Sequence, residues 1–389
     1  VNLSNSILEF IFSSQTRRTF FVKLYWQRKE DLMRLLAMFF VLISAVSCGG
    51  GSGSISQISE TWDWFNNPKV FERGYEFKLT SLPSSGEIAP TPWSDTYWPS
   101  FRGGIADRWQ TWDDPFQFKT PDFPDKLSQA QISRLSPAEK FDLLRGRYDF
   151  PLVRAERART SADAPRWEGL CHGWAPVALL LKEPRPVIAN NAKGLKIPFG
   201  SSDIKALLTY HQGQLAYAPS KMLGQRCNDD FGRFPNSTKR PACEDVNAGA
   251  FHLVLANRIG LRKEGFVADM TRDAEVWNQP VYAFRSRVVQ SSPASDGAAR
   301  GTVEEKRIQT DLYYAIEVDP SWKAQNTILN RGRRKESLEY IVEMDARGRI
   351  IGGRWLSENR PDFLWVQSLG AFRGEWKILE DLYNQSTNS

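Results

Sequence analysis

The chain has 389 residues, 41% of them apolar and 25% charged, with a formal net charge of +6. That is the balance of an ordinary globular protein with one large or two modest domains. The positive charge is spread along the chain, its densest run (Arg331-Gly332-Arg333-Arg334-Lys335) has the form of a solvated loop, and no basic module with exposed aromatics is present, so nucleic acid is not an expected partner.

In chain order, Met33-Arg34 followed by the apolar run Leu35–Ile43 has the form of a secretory signal, too short to span a membrane comfortably. Ala45-Val46-Ser47-Cys48 then resembles a bacterial lipobox, with cleavage before Cys48 and lipid on its thiol; a plain cleaved signal is the alternative. Gly49, rather than Asp, after that Cys resembles lipoproteins sorted to an outer membrane. The expected organisation is therefore residues 1–32 outside the fold, a signal over 33–48, a Gly/Ser tether over 49–60, a catalytic domain over 61–383 and a frayed tail over 384–389. The product would be exported, anchored to a membrane through Cys48, and monomeric.

Residues 61–125, rich in Trp, Pro, Ser and Asp, predict irregular structure with short strands. Residues 126–150 predict helix, with a capping box at Ser136-Pro137-Ala138-Glu139. Gly169-Leu170-Cys171-His172-Gly173-Trp174-Ala175-Pro176 and the apolar run Val177–Leu181 place a thiol at the mouth of a buried helix ending near Lys182. A helix N-terminus favours thiolate, the nucleophilic form. Pro176 is expected in the first turn, and Gly169 and Gly173 would let the backbone approach a substrate closely. A further helix is expected over 202–208.

A nucleophilic Cys needs a base, and the chain has three His. His172 adjoins Cys171 but points elsewhere, and His211 has the context of an exposed helix end. His252 lies in the short apolar run 251–257, expected to be a buried strand; its alternative is a satisfied core His. Asp269, near the end of the expected strand 265–269, would orient the imidazole from a neighbouring antiparallel strand. Its alternative is a turn or strand-end Asp bonded to its own backbone. Asn278 is the rival third member. The indoles of Trp167 and Trp174 are read first as packing residues, with oxyanion donor or wall residue as the alternative. Cys227 and Cys243 flank a polar loop and would pair in an exported protein. No Cys-x-x-Cys or paired His spacing marks a metal site.

Val276-Trp277-Asn278-Gln279-Pro280-Val281, followed by Phe284-Arg285, is similar to the surface peptide by which plants detect the oomycete transglutaminase elicitors. The Cys171, His252 and Asp269 segments precede it in that family's order, and the resemblance covers about 60–370. Tyr282-Ala283 and Ser286-Arg287 depart from the family's continuation of the peptide. The resemblance implies a secreted transglutaminase, α+β with a papain-like core, helices first and antiparallel sheet later. Cys171, His252 and Asp269 would be its triad, acting on protein glutamine and lysine side chains through an acyl-thioester. A thiol protease or amidase, or a surface binding protein on the same fold, are the alternatives. No cofactor is required; animal transglutaminases need calcium, but no EF-hand pattern exists and a scattered carboxylate site has no sequence signature.

The remaining elements are expected strands over 280–289 and 311–318 with a mobile loop over 290–305. A hairpin follows: Leu338–Met344 alternates, turns at Asp345-Ala346-Arg347-Gly348 and returns over Arg349–Trp355, with Pro361–Trp365 after it.

Overall fold

The computed structural model describes residues 62–111, 113–226, 245–271, 274–324 and 332–388. The expected signal, Cys48, Cys227 and Cys243 lie outside these. Residues 62–128 run mainly through short 3-10 turns, with one strand, β1 (Ser85–Glu87). Helices α1 (Gln129–Ser133) and α2 (Pro137–Leu144) each start at a complete capping box, from Ser128 to Gln131 and from Ser136 to Glu139. Helices α3 (Pro151–Arg159), α4 (Cys171–Leu180) and α5 (Ser201–Tyr210) follow, with a two-stranded sheet of β2 (Val187–Asn190) and β3 (Lys196–Phe199) between the last two.

The main sheet is antiparallel, ordered β4-β10-β5-β6-β7-β8-β9. Its strands are β4 (Ser220–Gly224), β5 (Phe266–Asp269), β6 (Asn278–Pro293), β7 (Glu304–Ala315), β8 (Arg333–Met344), β9 (Ile350–Trp355) and β10 (Phe363–Gln367). Helix α6 (Ala248–Val254) precedes β5, and α7 (Lys377–Asn388) closes the chain. The β8–β9 turn is the expected one: Gly348 has φ +71° and its N–H bonds Asp345 O at 2.9 Å, a conformation that favours glycine.

Alternation along the strands gives the sheet two different faces. Phe266, Ala268, Leu364 and Val281 share a core with Phe251, Leu253 and Val254 of α6. Their neighbours Val267, Phe363 and Trp365 share one with Ala175 of α4. Helices α6 and α4 therefore lie on opposite faces.

Four expectations need correction. Residues 251–257 are not a strand: α6 starts at Asn247, whose side chain caps the N–H groups of Gly249 and Ala250, and continues as a π-helix over Leu255–Arg262. Every residue of α6 is buried, so the run has no period to distinguish helix from strand. The expected loop over 290–305 narrows to 294–303, because backbone pairing continues to Pro293↔Glu304 despite polar side chains. The tail is helix to Asn388, anchored by buried Leu379, Leu382 and Ser386. His211 is buried, stacked on Phe372 at 4.5 Å.

Asp95 gives a pH signature of its own. It is 1% exposed, accepts from Ser202 Oγ at 2.7 Å and faces the Lys205–Glu183 pair. Burial pushes its carboxyl up to about 7, outweighing Lys205 and Ser202. The folded state then holds a proton that the unfolded chain releases near pH 4, so this contribution to stability is complete below pH 4 and is lost as pH rises through 7. Between pH 5 and 8 the wild-type Tm should fall about 2 °C or more further than that of Asp95→Asn. Parallel Tm–pH curves by differential scanning fluorimetry would refute this.

Candidate functional site

Leu170 ends the loop before α4, its N–H bonded to Tyr97 O at 2.6 Å. Cys171 is thus the first residue of a ten-residue helix whose next turns are buried. Gly169 and Gly173 serve packing: a Cβ on Gly169 would meet Tyr97 O at 2.6 Å, and one on Gly173 would meet Thr209 O of α5 at 2.1 Å. Pro176 sits in the second turn, not the first, and so removes the donor that would bond the His172 carbonyl.

The sulfur is held between two groups of the hexapeptide. Asn278 Nδ2 donates to Sγ at 3.4 Å, and the thiol donates to Val276 O at 3.6 Å. Trp365 Nε1 donates to Asn278 Oδ1 at 2.8 Å. Cys171, Asn278 and Trp365 are 4%, 4% and 8% exposed. They line a pocket of about 550 Å³ with Trp167, Met222 and Phe363 among its apolar walls and Gln212, Gln367, Glu168 and Arg226 among its polar groups. Burial pushes the thiol up; the Asn278 amide pulls it down, and the carboxyls of Glu317 and Asp269 push it up further.

The expected triad does not assemble. His252 sits on α6, across the sheet from Cys171, and its Nδ1 bonds Tyr340 Oη at 2.8 Å, which in turn meets Thr310 Oγ1 at 2.8 Å. Burial pushes its imidazole down to about 4, so it is a neutral core His. Asp269 stands directly opposite Asn278 across β5–β6, on the face of α4 rather than of α6. Its Oδ1 accepts from Thr271 N, Thr271 Oγ1 and Trp277 N at 3.3, 3.1 and 3.1 Å, the strand-end alternative. Trp174 is no oxyanion donor, since its indole is spent on Trp93 O at 3.3 Å. Trp167 does line the pocket, near the Arg226 guanidinium. His172 also lines it, with Nε2 on Gly213 O at 3.2 Å, and burial pushes it down.

Most of the hexapeptide is inside the fold: Asn278, Gln279, Pro280 and Val281 are buried, and Val276 and Trp277 are half-buried. Gln279 Nε2 donates to both oxygens of Glu317 at 3.0 and 3.2 Å. Trp277 packs edge-on against Tyr97, with ring centroids 5.4 Å apart. The rivalry of Asn278 as a site residue was visible in sequence; Trp365, Glu317 and Tyr97 carried no local signal. Among the described residues no group of three or more His, Cys, Asp or Glu is placed to hold a metal ion.

The family model of the transglutaminase elicitors matches residues 65–370. The chain belongs to the transglutaminase elicitor family. Among solved structures it is similar to the crystal structure of the GP42 transglutaminase from Phytophthora sojae, with TM-score 0.63 and 22% identity over 81% of this chain and 94% of that one. No curated protein sequence matches the chain. Elicitor-family membership and this structural likeness agree with the mixed α+β fold with an antiparallel sheet.

Proposed function

We propose that the chain is a thiol acyltransferase of transglutaminase type with Cys171 as nucleophile, on a papain-like core whose expected imidazole is replaced at the sulfur by Asn278. The observation that carries this reading is the Cys171 sulfur at a helix N-terminus, opening on to a pocket and bracketed by the Asn278 amide and the Val276 carbonyl. In the first step the sulfur bonds the carbon of a glutamine γ-carboxamide, the C–N bond breaks, and ammonia leaves with the thiol proton. In the second, a lysine amine bonds the thioester carbon and the thiol is restored with a proton from the amine. Water in place of the amine gives deamidation. The Cys171 N–H, unpartnered within the helix, and Asn278 Nδ2 are the donors available to the oxyanion.

A second reading has its own support. No described imidazole bonds the sulfur, and burial with two nearby carboxyls holds the thiol protonated, which fits a binding module that kept the fold. Incorporation of a fluorescent amine into a glutamine-rich protein separates the two: the enzyme incorporates it and loses the activity on stoichiometric alkylation of Cys171, whereas the binding module incorporates none. We propose further that the protein is exported and lipid-anchored through Cys48, with Cys227 paired to Cys243, and that its partners are glutamine- and lysine-bearing proteins.

A further inference from the structure

We propose that Trp365 is a positioning residue that locks the Asn278 carboxamide with its N–H toward Cys171. An indole N–H can only donate, so the Asn278 atom facing it at 2.8 Å is the oxygen. The amide is planar, and its nitrogen is thereby turned to the sulfur at 3.4 Å. A flipped amide would set N–H against N–H and leave the sulfur facing an acceptor. Both side chains are over nine-tenths buried, so little water competes for either bond. The sheet fixes their spacing: Trp365 pairs with Val267, which pairs with Pro280, two residues along β6 from Asn278. Trp365 also belongs to the buried cluster that includes Ala175 of α4, so the residue that orients the amide lies in the layer where the Cys171 helix meets the sheet. The outcome is a fixed donor to an anionic sulfur or to the oxyanion formed beside it. The catalytic part of this inference rests on the acyl-transfer reading; the orientation of the amide does not.

The test is the rate of Cys171 alkylation by iodoacetamide between pH 6 and 10. Trp365→Phe keeps most of the packing and removes the N–H. It should lower the rate at pH 7 about 3–10-fold and move the profile to higher pH. If the smaller ring impairs folding, benzothienylalanine at position 365, with sulfur for N–H at nearly equal size, replaces it. In an Asn278→Ala background the Trp365→Phe change should have no further effect. A profile unchanged by loss of the N–H, or an equal effect with and without Asn278, overturns the proposal. Wild-type protein with the expected profile but no amine incorporation would sink the acyl-transfer reading and leave this one standing.

Discussion

Cys171→Ser is expected to lower amine incorporation by at least about 10³-fold with the fold intact. The reason lies in what surrounds the atom. A serine hydroxyl is a weak nucleophile until a base takes its proton, whereas a thiol retains intrinsic reactivity without one. Here the neighbours of the sulfur are an amide donor and a backbone carbonyl, neither of which is a base. The replacement nearly conserves volume at a buried helix start, so stability should hardly change. His252→Gln provides the contrast. Its side chain is across the sheet and bonded to Tyr340, so losing it should cost about 1–3 kcal/mol of stability and leave Cys171 alkylation within about twofold. Loss of alkylation or amine transfer in His252→Gln without a matching loss in Tm would contradict the face assignment.

Asp203→Ala is expected to cost about 3–5 kcal/mol of folding stability. Lys140 Nζ and Asp203 Oδ2 are 2.6 Å apart with both side chains 0% exposed. The same carboxylate accepts from Gly200 N at 2.6 Å, capping α5, and from Trp109 Nε1 at 3.0 Å. Its removal would leave a buried ammonium, a Gly200 N–H without its acceptor and an unpaired indole at once. Burial already pushes Lys140 down, and Asp203 opposes that. Replacing the pair together, Lys140→Met with Asp203→Leu, should recover part of the loss by removing the stranded charge, although the bonds to Gly200 N and Trp109 Nε1 stay lost. Chemical denaturation measures both; a loss under 1 kcal/mol for Asp203→Ala would show that the ammonium finds other partners. Helix α5 backs α4 at Gly173, so this variant should also loosen the thiol site.

Much of the architecture was legible because it is written in short-range pattern. The alternation of Leu338, Tyr340, Val342 and Met344, the Asp345–Gly348 turn and the capping box at Ser136 each specify an element from adjacent residues alone. The α6 segment shows where such pattern fails. It is buried throughout, and the Asn247 cap four residues before the expected start at 251 was the informative signal. The hexapeptide was recognisable as a string but not as a site floor. Its tasks involve Cys171, Glu317, Tyr97 and Trp365, which are remote in sequence or carry no pattern.

By itself the sequence determined the setting of Cys171: a Cys opening an apolar helix, which depends only on local backbone and side-chain period. It also determined most strands and the placing of α1–α5 ahead of the main sheet, but not α6, which lies between β4 and β5, or α7 at the end. Only the tertiary structure decided what meets the sulfur. Strand order and register assign each side chain to one face of the sheet, and a helix can cover either face with the same local sequence. That is why His252 lies behind the sheet from the thiol while Asn278, one residue into β6, lies beside it.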